Sequence, residues 1–117
     1  MTEAEKIYNF IGLAMRAGKL TSGYDVVAND IERDQVKLLI IAKDISRNTL
    51  DRIFTQAERY EDIYQKSLEC FFFGDMKSLG DAIGRKPRGV MAITDEAFAN
   101  KLSEMLSNYD EETKEDV

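Results

Sequence analysis

The sequence predicts an α/β protein: a three-layer α/β/α sandwich built on a small mixed, largely parallel sheet. Three observations lead there. VKLLIIA (36–42) is a continuous apolar run, rich in branched residues and too short for a buried helix. That is how a central strand covered on both faces reads. LECFFF (68–73) and GVMAIT (89–94) read as two further strands. The stretches around them carry apolar residues at helical spacing, so helices alternate with strands. Such alternation buries a sheet between two helical layers joined by right-handed crossovers.

The first helix opens on the capping-box pair Thr2 and Glu5 and repeats Ile7, Phe10, Ile11 and Ala14 on one face. Gly18 supplies the left-handed residue that ends it, with Arg16 in its last turn. A turn follows. Tyr24, Val27, Ala28 and Ile31 then fall at i, i+3, i+4 and i+7, a second helix that begins at Ser22-Gly23. Beyond the first strand, Leu50, Ile53, Phe54 and Ala57 mark a third helix, with Ser46 or Asp44 as its cap. Beyond the second strand, Asp75 opens a short helix with Met76, Leu79 and Ile83 inward, stopped by Gly84 and Pro87. Phe98, Leu102, Met105 and Leu106 form the last helix. The expected order is α-α-β-α-β-α-β-α.

Length and composition narrow the function. At 117 residues the chain is one domain by size, and 44% apolar against 32% charged residues describes a folded globule. Residues 1–107 are expected to form that domain. The end, NYDEETKEDV (108–117), carries five acids against Lys114 and is expected to be a flexible acidic tail. The chain's net charge is −6, of which the tail supplies −4, leaving the body near neutral. Local patches therefore decide what binds.

The chain has no histidine and one cysteine, Cys70. A structural zinc site lacks ligands, and Ser-His-Asp or Cys-His catalysis is impossible. No GxGxxG or GxxxxGK[ST] occurs, so dinucleotide and triphosphate sites have no support, and no cofactor or metal is expected. The lone thiol fits a reducing cytoplasm. No run approaches the roughly 20 apolar residues of a membrane span, and MTEAEK shows no secretory signal. The expected place is the cytoplasm, away from any membrane.

Three stretches could carry binding or chemistry. In RAGKLTSGYDVV (16–27) a helix beginning at Ser22-Gly23 points unpaired N–H groups outward, where a phosphate can sit, with Lys19 nearby. Ser22 and Asp25 also have the spacing of a capping box, and these residues alone favour that structural use. GRKPRG (84–89) is the densest basic cluster. A proline restrains it, and it lies in a loop next to a strand end, where ligands commonly bind. Three cations within four positions of a net-negative chain favour a polyanion site over plain solvation. Asp44, beside Lys43 at the end of the first strand, is placed like a phosphate acceptor. It lacks the acidic pair that would hold magnesium, so a capping role is expected. Phe71, Phe72, Phe73 and Cys70 are read as core.

GLAMRAGKLTSGYDVV, VKLLIIAKDIS and SLGDAIGRKPRGVMAITD, in that order over residues 6–106, resemble the kink-turn-binding ribosomal protein family. Within it they are most similar to the small bacterial YlxQ branch. The resemblance implies an α/β/α sandwich that binds structured RNA without catalysis. In that family the tip of the second helix, reading Gly-Ala-Asn-Glu-x-Thr-Lys, enters the RNA bend, and the loop before the last strand packs against an extruded base. Carried over by position, Gly23 keeps the glycine. Asp25 replaces the asparagine, Val26 the glutamate and Asn29 the lysine. An ionised aspartate only accepts hydrogen bonds and repels phosphate, and valine offers guanine nothing. Kink-turn readout is therefore expected to weaken, while loops and bulges remain open to recognition by shape.

The implied site has Gly18, Lys19, Ser22, Gly23, Asp25 and Asn29 on one side and Arg85, Lys86, Pro87 and Arg88 on the other. Arg16 and Lys37 are outlying phosphate contacts. The expected partner is structured RNA, ribosomal or kink-turn-like, with ribosome or translation-factor proteins as further partners. The competing reading is a protein-interaction module of the translation machinery that kept the fold and lost kink-turn recognition.

Overall fold

A computed structural model describes residues 1–115, with side chains to Tyr109. Nine elements follow in order: α1 Glu3–Arg16, β1 Leu20–Ser22, α2 Tyr24–Glu32, β2 Leu38–Ile41, α3 Arg47–Tyr64, β3 Cys70–Phe72, α4 Met76–Ala82, β4 Val90–Ile93 and α5 Glu96–Glu115. The expected capping box is present: the Thr2 hydroxyl accepts from the Glu5 amide at 3.0 Å, and Glu5 accepts from the Thr2 amide at 3.1 Å. Ser46 caps α3 and Asp75 caps α4. Asp44 caps α4 as well, accepting the Met76 amide at 2.8 Å, and so ties the exit of β2 to the start of a helix 32 residues on.

The sheet runs β1-β4-β2-β3. It is mixed, as expected, but the expectation of a largely parallel sheet needs correcting. β1, β2 and β3 share one direction, yet β4 is inserted between β1 and β2 in the opposite sense. Only β2 and β3 form a parallel pair. The sequence reading also missed β1 and took its residues for a turn. Three residues of strand leave no periodicity to detect, and β1 forms because its register partner β4 is there: Leu20 opposite Ile93, Ser22 opposite Met91.

Both sheet faces are covered, so alternate strand residues enter two cores. Leu38, Ile40, Met91 and Ile93 pack with Ile7, Ile11, Leu79 and Leu102 from α1, α4 and α5. Leu39, Ile41, Val90 and Ala92 pack with Val27, Ile31 and Ile53 from α2 and α3. Two-sided burial explains why β2 and β4 read as unbroken apolar runs. The last helix continues past the expected domain end at 107. Most of the expected tail, 108–117, lies outside the residues whose side chains are described.

Candidate nucleic-acid interface

The register divides the molecule into two ends. At one end, Ser22 lies opposite Met91, the Gly23 amide donates to Val90 at 3.0 Å, and the Ala42 amide donates to Gly89 at 2.9 Å. The exit of β1, the exit of β2 and the loop 84–89 therefore meet there. Gly23 is the N-cap of α2, with φ 91° and ψ 147°. No heavy atom lies within 4 Å of a Cβ placed there, so the glycine serves the backbone angle rather than space. Among the described residues no side chain caps this helix. The expected Ser22–Asp25 capping box is not formed, because Ser22 belongs to β1 and turns its hydroxyl elsewhere. The first-turn amides of α2 and their partial positive charge face outward.

The Ser22 hydroxyl accepts from Arg88. Its Nε donates to Ser22 Oγ at 3.1 Å, while Nη1 donates to the carbonyls of Lys86 at 3.1 Å and Pro87 at 3.3 Å. One guanidinium thus joins the basic loop to the base of α2. Two more backbone bonds hold the loop down, Arg85 amide to Gly80 at 2.9 Å and Arg88 amide to Met76 at 3.0 Å. Gly80 is required by this packing: a Cβ there would strike the Lys86 carbonyl and lie 2.9 Å from the Pro87 Cα. With Arg88 engaged, Arg85 and Lys86 are exposed and form no ion pair among the described residues. A rigid loop presents two free cations.

Ser22, Gly23, Arg85, Lys86, Pro87 and Arg88 therefore come together, and Asp25 stands exposed in the first turn of α2 beside them. Val26, on the same turn, is 50% exposed. Asn29 is also exposed, six residues and about 9 Å along the helix axis from Gly23. Gly18, Lys19 and Lys37 do not join this group. The Thr94 amide donates to Lys19 at 3.0 Å and the Lys37 amide to Ile93 at 2.8 Å, so both lysines sit at the other end of β1 and β4. Lys19 also approaches Asp95 at 3.8 Å. Three strand residues separate Lys19 from Gly23, about 13 Å of extended chain. Arg16 and Gly18, at the exit of α1, belong to that far end too. The expectation failed there because a turn would have kept Lys19 near Gly23 and a strand does not.

Two cations escaped the sequence reading of the site. Lys43 is exposed at the end of β2, where its amide donates to Gly74 at 2.9 Å. Its position after a strand was a readable signal. Arg52, on α3, stacks its guanidinium 3.9 Å from the ring centroid of Tyr24, the first residue of α2. No sequence pattern links these two residues; the contact is tertiary. Cys70 carries no nucleophile at neutral pH, since burial pushes its thiol up to about 11. Among the described residues no group of three acids or thiols is placed to hold a metal, and no helix is long and apolar enough to cross a membrane.

Known proteins are similar to this chain in sequence and fold. The chain is 36% identical over 102 residues to the RNA-binding protein YlxQ of Enterococcus faecium, covering 87% of this chain and 92% of that one. It is 35% identical over 99 residues to the protein of the same name from Bacillus subtilis strain 168, covering 85% and 93%. A Bacillus halodurans protein of unknown function superposes with a TM-score of 0.76 at 27% identity, over 87% of this chain and 97% of that one. The Giardia lamblia 15.5kD RNA binding protein shares the fold at a TM-score of 0.68 and 20% identity, over 92% and 88%. The model of the ribosomal protein L7Ae/L30e/S12e/Gadd45 family matches residues 5–103, nearly the whole sandwich, and to that family this chain belongs.

Proposed function

We propose that this chain is a non-catalytic RNA-binding protein that grips structured RNA between the tip of α2 and the loop 85–88. The observation that carries the reading is the Arg88 guanidinium, which binds Ser22 and the loop carbonyls at once and makes one surface of two distant segments. The outward amides of α2 offer donors to phosphate or base edges, and Arg85 and Lys86 neutralise the backbone. Lys43 and Arg52 extend the positive rim on either side. The printed names of the bacterial relatives support RNA as the ligand class. A cytoplasmic place beside ribosomal RNA follows from that reading.

Specificity should differ from full kink-turn readout. Asp25 accepts but cannot donate at a base edge, and its charge pushes phosphate away from the first turn. Val26 replaces a hydrogen-bonding acid with an exposed apolar contact. Recognition then leans on bend and phosphate spacing. The test is a titration of a kink-turn RNA and a bent RNA without the kink-turn pairs, at several salt concentrations. Both should bind, within about tenfold of each other, with log K falling against log salt by roughly two to three. Equally poor binding of both at low salt overturns the proposal.

A further inference from the structure

The sheet edge formed by β3 lies outside this surface. β3 is the outermost strand beside β2. The Leu39 amide donates to Glu69 at 2.8 Å and the Phe73 amide to Ile41 at 2.9 Å. In a parallel ladder alternate residues bond the same neighbour, so Glu69, Phe71 and Phe73 face β2. The N–H and C=O groups of Cys70 and Phe72 then point away from the sheet. Natural edges are usually blunted by short length, charged side chains, proline or a bulge; β3 is short, three residues, but Cys70-Phe71-Phe72 carries no charge and no proline.

Side chains beside this edge are apolar and open. Phe72 is 44% exposed and meets Phe54 of α3, 41% exposed, edge to face at 6.4 Å between centroids. Next to them a groove of about 260 Å³ runs between α3 and the sheet, lined by Leu39, Leu68, Cys70 and Phe54. The charged groups lining it are Glu58 and Glu61, and neither forms an ion pair among the described residues. A second copy added edge to edge would set these carboxylates against their own counterparts, a like-charge pairing that costs affinity. Charge complementarity calls for a cationic partner.

We propose that the β3 edge and its groove take an extended segment of a partner protein that carries aliphatic residues and a lysine or arginine at every second position, all on one strand face. The segment adds to the sheet as a fifth strand: its backbone bonds Cys70 and Phe72, and on its α3-side face the aliphatic side chains fill the groove beside Phe54 and Phe72 while a cation two residues along reaches Glu58 and Glu61.

The test uses the full chain and the capped hexapeptide Thr-Val-Thr-Lys-Thr-Val, whose valines and lysine share one strand face, with Thr-Val-Thr-Glu-Thr-Val as the control. Amide exchange of Cys70 and Phe72, read by NMR, should slow about tenfold or more with the lysine peptide and stay unchanged with the glutamate one. The double substitution E58K/E61K lies on exposed positions, and it should reverse the preference between the two peptides. Three results overturn the proposal: no protection of these amides by the lysine peptide, equal protection by both peptides, or protection that appears with protein concentration alone. RNA affinity measured on the same samples is independent of this outcome, so the two readings stand or fall separately.

Discussion

The two ends of the sheet use their charges in different ways. At the end where α2 and α3 finish, polar groups satisfy one another. Asp34, in a left-handed conformation at φ 56°, accepts from the Tyr60 hydroxyl at 2.6 Å and from Lys66 at 3.0 Å. The Tyr64 hydroxyl donates to the Glu32 carbonyl at 2.7 Å. These bonds hold the Asp34 carboxyl below its ordinary range, the Tyr60 hydroxyl contributing most. At the end where α2 and α3 begin, the Arg88 guanidinium joins the basic loop to Ser22, while Arg85, Lys86 and Lys43 have no acidic partner among the described residues. One end is latched and the other is left charged. In a chain of net charge −6, cations kept together on one loop point to the proposed binding end better than the overall charge does.

The sharpest way to break this contrast is at Gly80. Gly80→Ala forces a methyl group against the Lys86 carbonyl, and it should destabilise the fold by about 3 kcal/mol in denaturant titrations. RNA affinity should fall as the loop shifts, while the Asp34 latch stays in place. The double substitution R85A/K86A removes charge without touching the packing. It should leave stability within about 0.5 kcal/mol. It should also cut RNA affinity by tenfold or more at low salt and lower the salt slope by about two.

At the latched end, Asp34→Asn should lower the melting temperature at neutral pH and leave RNA binding unchanged. The sign follows from the lowered folded-state value: the stabilisation is present above the ordinary 3.8 and is lost as pH falls through the folded value. The gap between Asp34→Asn and the native chain should therefore close below about pH 4 in acid melts. The smallest effect is expected at Asp25. Asp25→Asn removes a repulsion and restores a donor at the helix tip, so RNA affinity should rise a few-fold at low salt, with the gain shrinking as salt increases.

What the sequence revealed follows the physics of each signal. β2 and β4 were legible because burial on both faces makes an unbroken apolar run, and α1 because Thr2 and Glu5 satisfy its first amides locally. The loop 85–88 was legible as charge density. β1 was not, since its three residues are fixed by a partner strand some 70 positions away. Missing it misplaced Gly18 and Lys19 by the length of a strand. The Ser22 hydroxyl was read as a local cap because nothing within a few residues revealed that Arg88 would claim it. Arg52 over Tyr24 was invisible for the same reason.

The insertion of β4 has a consequence for how the chain is made. Leaving the ribosome N-terminus first, β1 has no hydrogen-bonding neighbour until residues 90–93 emerge, and β2 lacks one of its two. The helices can form early from local bonds, but the sheet closes only when its central strand arrives, almost last. Assembly of the proposed RNA-binding surface is therefore a late event in synthesis, and a nascent chain stalled before Val90 would hold both of its halves without the strand that joins them.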